Sequence, residues 1–229
     1  MTETGNSASR FDFDAVAAQY DRWYETAQGR LFDRLEKRAV LRLYRTPGRG
    51  ESLLEVGMGT GWWSRFFSGL GFEVTGIDVS PKMVETARSK DIPNAAFEMA
   101  DAHCLPFQDG SFSVSVAVTT LEFTRNPEAV LREMARCTKP NGTILLGVLN
   151  ADAPLNQERQ AQPDGPFAFA RLFTAEELYG LLSNYGRTTL RSCAFPVSMK
   201  APPLACLIDD AMAMMKSKTG AFIATRTKR

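Results

Sequence analysis

Leu53-Leu54-Glu55-Val56, followed by Gly57-Met58-Gly59-Thr60-Gly61, constrains this chain more than any other stretch, because an apolar strand running into three alternating glycines leaves few folds open. Glycine reaches backbone angles closed to other residues and, having no Cβ, lets a ligand approach the main chain. A glycine turn between a strand and a helix therefore predicts a nucleotide-like cofactor. A second apolar strand, Phe72 to Ile77, ends in Asp78. That spacing, about 20 residues on, is where a doubly wound fold sets a carboxylate against a ribose. The dinucleotide fingerprint G-x-G-x-x-G needs a glycine where Trp62 stands, and an indole there obstructs helix–strand packing. The phosphate-binding loop is also absent, since no Gly-Lys-Ser or Gly-Lys-Thr follows the turn.

With Glu55 two places upstream, the run Glu55 to Gly61 resembles the first motif of the class I S-adenosylmethionine-dependent methyltransferases, an acid, a spacer, then G-x-G-x-G. Gly76 to Met83 is similar to the family's second motif. There the acid at the strand end binds the ribose hydroxyls and the next residues flank adenine, which implies Asp78 for the ribose and Val79 and Met83 for the base. Ala100 to Phe107 with Asp109 to Phe112 is similar to the stretch D-A-x-x-L-P-F-x-D-x-S-F-D of the small-molecule branch that includes the ubiquinone/menaquinone enzymes. Asp101 would accept from the adenine amino group, with Ala102 beside it. Ser113 departs from the family's usual Asp at a position that is structural. Glu128 to Met134 and Lys139 to Thr143 resemble the late helix and its turn, with Asn141 replacing a glycine and tolerating left-handed angles. The resemblance, over about residues 50–150, implies S-adenosyl-L-methionine as cofactor and S-adenosyl-L-homocysteine as product, held at Glu55, Gly57, Gly59, Thr60 and Gly61.

The rest of the chain alternates strands and helices as βαβ units do. Strands are expected at Ser52 to Val56, Phe72 to Ile77, Ala95 to Met99, Phe112 to Val118 and Gly142 to Leu149, with helices near Gly61 to Leu70, Pro81 to Lys90 and Pro127 to Cys137. After a long polar connection, Ala151 to Arg171, a helix from Thr174 to Ser183 opens on a capping box, Thr174 with Glu177. Strands Thr188 to Phe195 and Ala221 to Arg226 would close the sheet as the antiparallel hairpin the resemblance implies, around an apolar helix candidate, Pro203 to Lys216. The fold expected is α/β: a doubly wound, mostly parallel, seven-stranded Rossmann-like sheet with an antiparallel C-terminal strand and an N-terminal helical cap. At 229 residues and 44% hydrophobic content, one methyltransferase domain is expected. It would comprise a disordered tail (1–10), a helical cap (11–46), the cofactor core (50–150) and a substrate-side insertion with the C-terminal strands (151–229).

Phe11 to Tyr44 reads as two helices with an aromatic face, and in related enzymes such a pair caps the cofactor; Tyr20 and Trp23 are candidates for cation–π contact with the sulfonium. Arg34, Arg38, Arg42 and Arg45 read as a solvated face. His103, the only histidine, sits between Asp101 and Leu105 in a structural role, and one of Trp62 and Trp63 is expected at the pocket rim. Beyond the fourth strand, Thr119 is expected to face the cofactor and Glu122 the substrate. The segments 151–171 and 203–216 are expected to shape specificity. Cys104, Cys137, Cys193 and Cys206 lack metal or disulfide spacing and read as free thiols, so no metal is expected. A net charge of +1 gives no field to gather nucleic acid. With a polar start and no long apolar run, the chain is expected to be soluble and cytoplasmic, without a membrane span. The function expected is methyl transfer to a small molecule by in-line displacement, without a covalent enzyme intermediate. The alternatives are a methyltransferase acting on protein or RNA, and a non-catalytic S-adenosylmethionine-binding partner subunit.

Overall fold

The computed structural model describes residues 9–44, 50–163, 165–196, 200 and 202–229. Residues 1–8, most of the tail expected to be disordered, and Arg45 lie outside the described residues. Seven strands form one sheet: β1 (Ser52–Val56), β2 (Glu73–Asp78), β3 (Ala95–Met99), β4 (Phe112–Val118), β5 (Thr138–Leu149), β6 (Arg187–Cys193) and β7 (Phe222–Lys228). Their order is β3-β2-β1-β4-β5-β7-β6, and β7 alone runs antiparallel to its neighbours. This is the doubly wound, mostly parallel sheet expected. The chain reverses its direction of travel between β1 and β4, and such a switch opens a crevice at the strands' carboxyl ends.

Side chains of successive strand residues fall on opposite faces, so Leu53 enters one core layer and Leu54 the other. The helices are α1 (Arg22–Glu25), α2 (Ala27–Leu43), α3 (Trp62–Gly69), α4 (Pro81–Arg88), α5 (Pro127–Cys137), α6 (Pro154–Gln160), α7 (Ala175–Ser183) and α8 (Ala205–Met214). Leu35 and Phe67, from α2 and α3, join Leu53 and Phe222 on one face; Leu131 and Met134 of α5 and Leu178 of α7 join Leu54 and Val56 on the other. Ser80 caps α4 by accepting from Met83 N, and Asn126 caps α5 by accepting from Ala129 N, each followed by a proline at the first helical position.

Several local expectations are corrected. The N-terminal stretch is not two helices: turns of 3-10 helix at Phe13–Ala15 and Ala17–Gln19 precede the single turn of α1, and only α2 is long. Asp12 caps the first turn through Asp14 N, and Thr26 leaves helical angles (ψ 156°) to cap α2 through Gly29 N. The fold-back is tight enough that a Cβ on Gly29 would lie 1.9 Å from Trp23 O. β5 starts at Thr138, not Gly142, because Asn141 takes the left-handed turn (φ 61°) inside a strand that already pairs Thr138 with Phe112. The long connection after β5 holds α6 and a 3-10 turn at Pro166–Phe169. Half of the capping box forms: Thr174 accepts from Glu177 N, but the Glu177 carboxylate pairs with Arg171. Arg38 and Arg42 are not merely solvated; they reach Asp210 of α8 at 2.6 and 2.8 Å, where Arg191 of β6 also binds, and Arg34 stays exposed. Among the described residues no helix is long and apolar enough to cross a membrane.

Candidate functional site

The crevice opens where β1 turns into α3. Gly57 holds φ 68°, and a Cβ there would sit 2.2 Å from Thr120 Cγ2; Gly59 holds φ 55° with nothing within 4 Å of its Cβ position. The first glycine lets the turn press against the end of β4, and the second leaves open space over the main chain. Asp78, at the end of β2 and 9% exposed, accepts from Gly59 N through Oδ2 and from Ser80 N through Oδ1, both at 2.9 Å. Burial pushes this carboxyl up, against the pull of the N–H groups of Ser80, Gly59 and Val79. A carboxylate oxygen carries two lone pairs, so each keeps one for a ligand hydroxyl. Glu55 is 2% exposed and accepts from Ser64 Oγ at 2.5 Å; burial pushes it up to about 8.

Ala100, Asp101, Ala102 and His103 form the opposite wall. Asp101 Oδ1 lies 2.7 Å from His103 Nδ1 and accepts from His103 N at 2.8 Å, while His103 Nε2 accepts from Asn126 N at 3.3 Å. An accepting Nε2 leaves the ring proton on Nδ1, so both nitrogens of this histidine are engaged in holding the loop. That is the structural role expected.

The N-terminal segment lies across the cleft and narrows it to about 90 Å³, with Ser9, Phe13, Tyr20 and Tyr24 in its wall. Ser9 bridges to Thr124, and Arg10 N donates to Phe123 O at 2.7 Å. Asp14 accepts from Ser80 Oγ and from Lys82 N (3.2 Å); Asp21 binds Lys90 Nζ and Thr60 Oγ1, each at 2.5 Å. Tyr24 stacks on Trp62 with centroids 4.3 Å apart, and Trp62 Nε1 donates to Asp33 at 2.7 Å. Both Trp62 and Trp63 reach the cleft, Trp63 packing also on Phe66 and Phe67. Burial, with Asp78 nearby, pushes the Tyr20 phenol up to about 12, so it keeps its proton at neutral pH.

A second cavity of about 560 Å³ lies beside the cleft and shares five wall residues with it: Phe13, Tyr20, Tyr24, Thr119 and Phe123. Gln28, Phe32 and Glu36, four residues apart on α2, line one side; Leu155, Glu158, Arg159 and Gln162, on and just beyond α6, line the other. Burial, reinforced by Asp33, pushes the Glu36 carboxyl up to about 8. The Arg159 guanidinium lies 5.4, 5.0 and 5.1 Å from the ring centroids of Trp23, Phe32 and Phe167. Thr119, on the shared wall, holds φ 47°, a strained angle for a β-branched residue.

Of the residues expected at the cofactor, Tyr20, Glu55, Gly57, Gly59, Asp78, Val79, Met83, Asp101, Ala102 and Thr119 line the cleft together. Three do not. Trp23 faces the larger chamber and Arg159; Thr60 is turned to Asp21; and a Cβ on Gly61 would meet Ile92, Ala87 and Phe97, which makes that glycine a packing residue. Glu122 does not face a substrate: it is fully buried, its Oε1 accepting from Leu149 N at 2.6 Å. Sequence reasoning missed Glu36 and Arg159. The four-residue spacing of Phe32 with Glu36 and of Leu155 with Arg159 was the available signal.

Residues 54–146 match the family model described as "Methyltransferase domain". The chain is 29% identical over 182 residues to an uncharacterized protein of Methanocaldococcus jannaschii, covering 79% of this chain and 82% of that one. It is 35% identical over 136 residues to the demethylmenaquinone methyltransferase of Tropheryma whipplei, covering 58% of this chain and 56% of that protein, so it spans little more than half of that relative. Among solved structures, a Thermotoga maritima SAM-dependent methyltransferase, described as a possible histamine N-methyltransferase, superposes with a TM-score of 0.72 at 26% identity, covering 94% of this chain and 97% of that one.

Proposed function

We propose that this chain is a class I S-adenosylmethionine-dependent methyltransferase, a reading its similarity to known methyltransferases supports, and that its narrow cleft holds S-adenosylmethionine while the chamber beside it takes a small-molecule acceptor. The residues fit such a cofactor on their own chemistry. An open main-chain cradle at Gly59 lies against a buried carboxylate whose oxygens each retain a lone pair, as a ribose diol requires. In this reading Asp78 accepts both ribose hydroxyls, Val79 and Met83 flank the base, and Asp101 accepts from its amino group beside Ala102. The main chain at Gly57 and Gly59 and the Glu55 carboxyl face the amino-acid end. Tyr20 and Thr119 stand at the seam between the two cavities.

When bound, the cofactor supplies an activated methyl on a sulfonium with a neutral thioether as leaving group. What this chain contributes is alignment, exclusion of water and a path for a proton. The shared aromatic wall confines an acceptor to the line between the cavities, and such confinement is worth about 7–11 kcal/mol in favourable cases. Tyr20 and Tyr24 keep their protons, since burial raises both phenols, so they orient and do not deprotonate. Glu36, near-neutral in its proton affinity, is the chamber group suited to receive a proton from the acceptor.

The observation that carries this reading is the pair of adjoining cavities with five common wall residues. Calorimetry with S-adenosylmethionine, S-adenosylhomocysteine and NAD tests the cofactor: the two adenosyl ligands bind and NAD does not. Binding of NAD alone overturns it. Label transfer from methyl-tritiated cofactor then tests the acceptor class. Label in the small-molecule fraction of a cell extract supports the reading, and label confined to protein or RNA replaces it.

A further inference from the structure

We propose that the acceptor is a monocarboxylate with an apolar body, its carboxylate held by Arg159 at the far side of the chamber from the cleft; this rests on the two-cavity reading above. Arg159 is an arginine at an internal wall, and among the described residues no carboxylate or carbonyl accepts a hydrogen bond from its guanidinium. Its neighbours are rings, those of Trp23, Phe32 and Phe167, all within 5.4 Å of Cζ. Rings hold a guanidinium by its faces and leave the in-plane N–H donors unused. A planar fork of donors fixed between aromatic faces matches a carboxylate in bidentate geometry. The volume, about 560 Å³, is that of a small-ligand site, and the remaining walls are largely aromatic and aliphatic.

The charge count selects a monoanion. Among the described residues Arg159 is the only cationic side chain lining the chamber, and two carboxyls, Glu36 and Glu158, line it too. Glu158 is exposed and burial keeps the proton on Glu36, so the chamber offers an acceptor one positive charge, which suits a monoanion and disfavours a phosphomonoester dianion. Glu36 stands on α2 opposite α6, close enough to Arg159 for the two to influence each other, yet no ion pair joins them. The Arg159 charge is thus left for a ligand. Arg159 is absent from the wall of the narrow cleft, so recognition of the acid and of the cofactor are separable.

The test uses the full chain saturated with S-adenosylhomocysteine and four acids, phenylacetate, 3-phenylpropionate, hexanoate and octanoate, each against its primary amide and the corresponding amine. Affinity is read by calorimetry. At least one acid binds, tenfold or more tighter than its amide. Arg159→Gln removes that preference, Arg159→Lys keeps part of it, and both variants bind S-adenosylhomocysteine within twofold of the native chain, which shows that they are folded. Glu36→Gln leaves acid binding unchanged or tighter, because it removes an acid from the site. Equal binding of acids and amides, no binding of any acid, preference for the amines, or an acid preference that survives Arg159→Gln overturns the proposal. Failure of S-adenosylhomocysteine to bind the native chain is a different result, and it overturns the cofactor reading instead.

Discussion

The two cavities are built by opposite means. The cleft wall at the ends of the central parallel strands is main chain and short side chains: two left-handed glycines, a buried aspartate and a histidine loop, fixed by hydrogen bonds of 2.7–3.3 Å. The chamber is made largely of bulky side chains on helices outside the sheet, in edge and tilted ring contacts, with an arginine and a glutamate whose side chains hydrogen-bond to none of the described residues. A site read through the backbone tolerates almost no change in residue type. A site read through side chains on peripheral helices changes specificity by single substitutions, which suits one chemistry applied to different acceptors.

The contrast breaks most visibly at Asp78. Asp78→Asn keeps the size and one acceptor oxygen but removes the charge, and hydrogen bonds to a charged group are worth about 1.5–3 kcal/mol each. With two ribose hydroxyls at stake, affinity for S-adenosylhomocysteine falls by roughly 100-fold or more in calorimetry, while binding at the chamber, measured with its acid probe, changes little. Equal loss at both sites would mean that the cavities act as one.

This asymmetry also explains what was legible in the sequence. The cleft was readable because backbone demands are met by few residues: glycines at two-residue spacing and an acid at a strand end. The single antiparallel strand was expected from the family resemblance. The N-terminal turns were not legible, since the fold-back at Thr26 depends on Gly29 meeting Trp23 O across space. Glu122 was misread because proximity to the strand end said nothing about its turning inward to Leu149 N. Arg159 was missed because its rings come from three separate segments, and only tertiary packing brings Trp23, Phe32 and Phe167 around one guanidinium.

Within the cleft, two glycines give a sharper comparison. Gly57→Ala imposes a left-handed angle on alanine and drives its Cβ into Thr120; the cost is about 2–4 kcal/mol, a fall in Tm of roughly 5–15 °C. Gly59→Ala meets no protein atom, so it costs only about 1 kcal/mol of backbone strain but fills cofactor space. Thermal melts and S-adenosylhomocysteine titrations of the two variants therefore give opposite rankings. If both variants lose stability equally, the open space assigned to Gly59 is wrong.

The acids of the two regions respond to pH together. In the unfolded chain these glutamates lose their protons near 4.5, whereas burial carries Glu55 and Glu36 to about 8 and Glu122 to about 7 in the fold. Between those values the folded chain binds more protons than the unfolded one, so stability falls as pH rises through the window and levels off above about pH 8. In the absence of ligand the Tm should drop from pH 5 to pH 8.5. Glu55→Gln and Glu36→Gln each flatten the slope, and a Tm that rises across this range rejects the assignment of buried, protonated acids.

The smallest effect is expected where the two regions meet. Thr119 belongs to both walls and holds φ 47°, which costs a β-branched residue about 1–2 kcal/mol, while its N–H is fixed to Gly147 O at 2.7 Å. Glycine takes this angle freely but adds unfolded-state entropy of about 0.5–1 kcal/mol, so Thr119→Gly should leave stability unchanged or raise it by up to about 1 kcal/mol. Strain kept at no structural benefit needs a functional reason, and the shared wall supplies one: the Thr119 side chain fixes the gap through which cofactor and acceptor meet. The variant should hold S-adenosylhomocysteine within twofold yet lose turnover by about tenfold, because reacting groups misaligned by an ångström lose most of the advantage of confinement. A variant that is less stable and equally active would make Thr119 a structural residue, and the seam between cleft and chamber would then have to be set by Tyr20 from the N-terminal side.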